Sequence, residues 1–147
     1  MTTEEIIQKF KEYGLRVTTH RIAVYRAVLS SFHPTAETIL NMLKEEYPSI
    51  TPATVYNNLE ALGKAGLIQK VLTEKGRMMY DGILYEHHHL LDTEEDEISD
   101  YFDEELTGIL RDYFRKKPLE DFEISRVMVQ LFGKKKRKNK NKDKKND

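Results

Sequence analysis

The chain has 147 residues, 39% hydrophobic and 33% charged, with a formal net charge of -1 and no cysteine. That length suits one compact domain or two small ones of about 70 residues each, and the lack of cysteine excludes disulfides, thiolate metal sites and cysteine nucleophiles. No apolar run approaches the roughly 18 to 20 residues of a membrane helix, and Met1-Thr2-Thr3-Glu4-Glu5 carries no secretory pattern, so the chain reads as a soluble cytoplasmic protein without a membrane partner.

The first half reads as helices. Thr2 and Glu5 fit a capping box ahead of Ile6, Ile7 and Phe10, and Gly14 is a C-terminal stop. A second helix is expected from about Thr19 to Ser31, with Ile22, Tyr25 and Leu29 on one face, broken by His33-Pro34 because the residue before proline avoids the helical region. Thr35 caps a third helix running through Tyr47 to Pro48. Thr51 and Pro52 then open a helix to Gly66. Its apolar stripe is Val55, Leu59 and Leu62, and its opposite face carries Thr54, Tyr56, Asn57 and Asn58. Leu67–Leu72 and Arg77–Tyr80 flank Glu74-Lys75-Gly76 as a β-hairpin. Helices followed by a hairpin make the winged helix-turn-helix plan, which sets one amphipathic helix in the DNA major groove.

The second half is mixed. Glu86–Leu91 reads as strand, Glu94–Glu97 as an acidic turn, Asp103–Lys117 as a helix ended by Pro118, and Phe122–Ile124 and Val127–Phe132 as strand. The last is apolar on both faces, which suggests burial against a second chain. Charge is partitioned along the same lines: residues 1–75 hold nine basic and eight acidic side chains, 76–133 hold six and fifteen, and 134–147 hold nine and two. The expected organisation is therefore α+β, with an N-terminal winged-helix domain over 1–83, a C-terminal α/β dimerisation domain over 84–133, and a basic disordered tail over 134–147. Such a tail either solubilises the chain or contacts phosphates.

Two constellations carry chemistry. Asn bonds adenine bidentately and Tyr contacts a thymine methyl or a phosphate, so Tyr56, Asn57 and Asn58 can read DNA or can form an ordinary solvated helix face. Arg16 and Arg21 can reach the backbone or minor groove, or stand as plain surface charge. In His87-His88-His89, strand alternation points His87 and His89 the same way and His88 the other. Asp81, Glu86, Asp92 and Asp100 are near in sequence, and His33 is distant. Imidazole with carboxylate suits Fe(II), Mn(II), Zn(II) or Co(II). His87, His89 and a carboxylate could also form the facial triad of a non-haem iron enzyme, with no DNA partner.

Gly14-Leu15-Arg16-Val17-Thr18 with Arg21, His33-Pro34-Thr35-Ala36, and Ala53-Thr54-Val55-Tyr56-Asn57-Asn58-Leu59 together resemble the ferric uptake regulator family, over about residues 3–133. The peroxide-sensing branch is the nearest likeness. The resemblance implies a regulatory Fe(II) or Mn(II) site, open to Zn(II) in vitro, formed by His33, Asp81, His87, His89 and Asp100. It implies that His33 and His87 are the oxidation-sensitive ligands, that Arg16, Arg21, Thr54, Tyr56, Asn57 and Asn58 meet operator DNA, and that the protein is a homodimeric, non-enzymatic repressor with hydrogen peroxide as its signal. An iron- or manganese-responsive repressor without peroxide sensing is the sibling reading.

One departure stands out. Most relatives hold a structural zinc in two Cys-x-x-Cys pairs, whereas these positions read Asp92 and Glu95, then Lys135 and Lys138. No structural zinc is expected here, and the dimer must rest on strand pairing and apolar burial.

Overall fold

A computed structural model of the chain describes residues 1–83 and 85–136. Four helices open it: α1 (Thr3–Glu12), α2 (Thr19–Ser30), α3 (Ala36–Leu43) and α4 (Pro52–Lys64). Each starts at a threonine whose hydroxyl accepts the amide three residues on: Thr2, Thr18, Thr35 and Thr51. Each such cap is worth about 1 kcal/mol. At α1 the box is complete, because Glu5 also accepts from the Thr2 amide at 2.7 Å. The stripes of the four helices meet in one core built on Ile6, Phe10, Tyr25, Ile39, Leu59 and Leu62.

The wing follows as β1 (Gln69–Leu72) and β2 (Met78–Asp81), paired antiparallel with Gln69 opposite Asp81. Gly76 turns it with φ +86°, a conformation that disfavours a side chain. The second half contains β3 (His88–Asp92), β4 (Glu97–Tyr101), α5 (Glu104–Lys116) and β5 (Gln130–Gly133). Its sheet has the order β4-β3-β5, antiparallel between β3 and β4 and parallel between β3 and β5. A second apolar cluster, Val71, Met79, Leu91 and Ile98, joins the wing to this sheet. The fold is thus α+β, a winged helix-turn-helix half followed by a mixed sheet with a helix.

Several expectations are corrected. The third helix stops at Leu43 rather than Tyr47, and Tyr47 packs against the core beyond it. Leu29 is 38% exposed rather than part of the core face. Glu97 opens a strand where an acidic turn was expected, because the turn lies one step earlier, at Asp96 with φ +54°. Phe122–Ile124 forms no strand, and the last strand spans only Gln130–Gly133, the residues in register with β3. The basic tail from Arg137 onward lies outside the described residues, while Lys135 pairs with Glu97 at 2.8 Å. No helix among the described residues is long and apolar enough to cross a membrane.

Candidate metal centre

The loop between α2 and α3 supplies His33. Its backbone is left-handed, φ +43°, which costs an L-residue on the order of 1 kcal/mol or more. The loop is held there by the amide of Tyr80, which donates to Pro34 O at 3.0 Å. Asp81 ends β2, one carboxylate oxygen accepting from the Ile83 amide at 2.9 Å. His87 precedes β3 and His89 lies within it, directly opposite Asp100 on β4. Five side chains from loop, wing and sheet therefore meet at one point, drawn from both halves of the molecule.

Their donor atoms are close. Asp81 Oδ2 lies 2.7 Å from His87 Nε2, 3.1 Å from His89 Nε2 and 3.4 Å from His33 Nε2. Asp100 Oδ1 lies 2.9 Å from His33 Nε2, 3.1 Å from His87 Nε2 and 3.5 Å from His89 Nε2. Donors on adjacent positions around a divalent ion, each about 2.1 Å from it, stand about 3 Å apart. Donor atoms of His33, Asp81, His89 and Asp100 all fall within 4.8 Å of one another. His87 stands outside that tightest group yet lies 2.7 and 3.1 Å from the two carboxylates, so it too could help to hold an ion. The rings of His33 and His87 each stand edge-on to His89, at 79° and 75°.

The chemistry of the donors fits a cation. The four side chains other than Asp100 are no more than 4% exposed. His33 Nε2 and Asp100 Oδ1 are buried without a hydrogen-bonding partner, although only 2.9 Å apart. His87 Nδ1 lies 2.9 Å from Tyr85 O, which can only accept, so Nδ1 carries a proton and Nε2 is the atom left for a metal at the cluster. Three imidazole Nε2 atoms within 3.4 Å of one buried carboxylate oxygen demand protons or a metal ion between them. Burial pushes the His33 imidazolium down, but the Asp81 and Asp100 carboxylates outweigh it and leave its pKa raised. Burial opposes the Asp81 carboxylate as well, yet the three imidazoles and the Ile83 amide hold its pKa far below the usual range. Three imidazoles and two carboxylates are a donor set of intermediate hardness, suited to Fe(II), Mn(II), Zn(II) or Co(II).

His88 faces the other way, as alternation requires. It is fully buried, Nδ1 accepting from the Val129 amide at 3.0 Å and Nε2 donating to Thr107 Oγ1 at 2.8 Å. One histidine thus ties the ligand-bearing strand to α5 and to the segment entering β5. The sequence held no signal for these partners, since both lie far along the chain.

On α4, Tyr56 is 53% exposed, Asn57 is exposed and Thr54 is half-buried. Arg16 is exposed. Asn58 is not on that open face: it is 6% exposed, donating to Thr54 O at 2.9 Å and accepting from Arg21 Nε at 3.0 Å. Helical geometry explains the difference, because Asn58 adjoins Leu59 at the edge of the apolar stripe and turns inward. Arg21 also donates to Arg16 O at 2.8 Å, so two of its donors are spent inside the fold. Asn58 is a residue that positions Arg21. Sequence reading also missed the stack of Tyr85 on Phe102 on His87, with centroids 5.7 and 5.4 Å apart.

At Asp92, one of the positions that the resemblance associates with cysteine, Oδ1 accepts from the amides of Glu94 and Glu95, both at 2.9 Å. Asp92 Oδ2 accepts from the Lys135 amide at 3.4 Å.

Comparison with known proteins bears on this arrangement. The model of the ferric uptake regulator family matches residues 12–132. The chain is 28% identical over 131 residues to a peroxide-responsive repressor PerR of Staphylococcus aureus, covering 88% of this chain and 86% of that one. Among solved structures, the ferric uptake regulator from Pseudomonas aeruginosa with manganese superposes with TM-score 0.76 at 23% identity, covering 88% of this chain and 97% of that one. The Campylobacter jejuni peroxide stress regulator superposes with TM-score 0.71 at 24% identity, covering 94% and 99%.

Proposed function

The chain belongs to the ferric uptake regulator family, and from that premise we propose that it is a metal-dependent, DNA-binding transcriptional repressor that senses hydrogen peroxide through oxidation of histidine ligands. The single observation that carries the reading is the convergence of ring nitrogens and carboxylate oxygens of His33, Asp81, His87, His89 and Asp100 on one buried point. The repressor works in the cytoplasm as a homodimer, with domains bounded at 83/84 and 133/134. Its metal is Fe(II) or Mn(II).

His33 and Asp81 belong to the DNA-binding half, and His87, His89 and Asp100 to the other. Joining these ligands fixes the angle between the halves. In a dimer that angle sets the separation of the two α4 helices, which must match half-sites about 34–36 Å apart or a multiple of it. Metal and DNA then bind with reciprocal coupling. Tyr56 and Asn57 read base edges, Thr54 and Arg16 meet the backbone, and Asn58 holds Arg21 in place for a phosphate or minor-groove contact. The dimer surface is formed by α5, none of whose residues is buried within the chain, and by β5, with Ile109, Tyr113, Leu131 and Phe132 between 45% and 59% exposed.

Fe(II), held by these five residues, would supply the one-electron chemistry that cleaves peroxide. Per H2O2, one imidazole, of His33 or of His87, would be oxidised by two electrons overall, taking one peroxide oxygen while the other leaves as water; the oxidised ring would hold the ion poorly and let the two halves part. The carboxylates of Asp81 and Asp100 stay acceptors throughout and keep the imidazoles aimed inward. The test uses DNA selected from a random-sequence pool by the Fe(II)-loaded protein. Peroxide should release that DNA and add 16 Da at His33 or His87. Release on chelation but not by peroxide would return the reading to a metal-responsive repressor without peroxide sensing.

A further inference from the structure

A cavity of about 150 Å³ runs from the surface to the histidine–carboxylate cluster, between the end of α2 and the strand exit after β2. Its floor is His33, Asp81 and Asp100, and its rim is Leu29, Phe32 and Ile83. The volume holds water or another molecule of a few atoms and is well below the roughly 300–1,000 Å³ of a drug-sized ligand site. Asp100 marks the open side: its side chain is 16% exposed, against 4% or less for the other four. At the floor, His33 Nε2 and Asp100 Oδ1 are buried polar atoms without a hydrogen-bonding partner.

We infer that this cavity is the route by which water-sized neutral molecules reach the cluster, and that Leu29, seated over Gly82, sets its width. A hydrated cation loses its shell against an apolar rim, whereas a small neutral molecule loses far less, so the rim selects the latter. Leu29 is neither core nor free: it is 38% exposed and overhangs Gly82. A Cβ at position 82 would meet Leu29 Cδ2 at 2.8 Å, a distance that forces a shift. Glycine there lets the chain pass directly beneath the leucine and keeps the mouth in its present form. Hydrogen peroxide is neutral and close to water in size, so the same mouth supplies the signal in the reading above, on which this inference rests.

The probe is Mn(II) in the full chain, read by the relaxation of bulk water protons, which reports whether water exchanges at the bound ion. Wild type shows a relaxation enhancement. Leu29→Trp, which fills the mouth, loses it while Mn(II) affinity stays within titration error, and Leu29→Ala increases it through faster exchange. An enhancement unchanged in Leu29→Trp at wild-type affinity overturns the inference, as does bound Mn(II) without enhancement in wild type. If Leu29→Trp no longer folds or binds Mn(II), Leu29→Ala decides: faster exchange supports the route and unchanged exchange overturns it. Failure of the underlying reading looks different. Wild type then binds no Mn(II), or binds it as well after His33→Ala. If the relaxation arms behave as stated and peroxide leaves the histidines unmodified, the route stands and peroxide sensing falls.

Discussion

Asp96 is the sharpest test of how the wing is attached to the second half. It sits in the β3–β4 turn at φ +54° and is only 6% exposed. Its carboxylate accepts from Thr73 Oγ1 at 3.1 Å and from the Lys75 amide at 3.4 Å, both in the wing turn. Arg77 donates to Asp96 O at 3.2 Å and stands 3.8 Å from the carboxylate, but its side chain is 51% exposed, so the ion pair adds little. Asp96→Ala removes one good hydrogen bond to a charged acceptor, about 1.5–3 kcal/mol. It also leaves alanine in a left-handed conformation, about 1 kcal/mol more. The expected loss is about 2.5–4 kcal/mol, or roughly 5–16 °C in Tm at this chain length. Thermal and urea unfolding of metal-depleted protein measure it. Asp96→Gly keeps the backbone freedom and should cost about 1 kcal/mol less than alanine. Asp96→Asn, which keeps an acceptor and tolerates positive φ, should cost least. A Tm for Asp96→Ala within about 2 °C of wild type would refute the attachment.

Four further outcomes follow from the rest of the structure. Asn57→Ala should weaken DNA binding and leave Tm unchanged, whereas Asn58→Ala should lower both, the stability by about 1–3 kcal/mol, because it strands the Arg21 guanidinium. Equal Tm with weaker DNA binding in both would make Asn58 a direct contact. For pH, His33 is raised, so its contribution to metal-depleted stability is present below about pH 6.5 and lost as pH rises through its folded pKa. Asp81 is depressed, so its contribution is present above about pH 4 and lost on acidification. Mn(II), which must displace the His33 proton, should bind more tightly at about pH 8 than at about pH 6, with proton release on binding in the acid arm; pH-independent affinity by calorimetry would contradict this. Ile109→Glu on α5 should convert a dimer to a monomer in sedimentation without loss of helix content, and a persisting dimer would exclude α5 from the interface.

The winged-helix half was legible because its signals are local. Threonine caps, Pro52, glycine stops and 3.6-residue stripes each act within one element, and they located all four helices and the hairpin. The inward pair His87 and His89 with outward His88 followed from strand alternation alone. What escaped was long-range. Glu97–Tyr101 has only Ile98 and the terminal Tyr101 as hydrophobic residues and becomes a strand because β3 lies beside it. Asn58 turns inward because Arg21, 37 residues earlier, offers it a charged donor. His33 joins His87 and Asp100 through a left-handed loop that no periodicity announces. The family resemblance, not spacing, brought that histidine into the ligand set.

The measurement closest to the central claim is a Mn(II) titration of wild type and of five single variants: His33→Ala, Asp81→Ala, His87→Ala, His89→Ala and Asp100→Ala. One ion per chain should bind, and each substitution should weaken it by about tenfold to a hundredfold or more, the two from the DNA-binding half as surely as the three from the sheet. Binding that survives His33→Ala and Asp81→Ala unchanged would mean that the metal does not join the two halves.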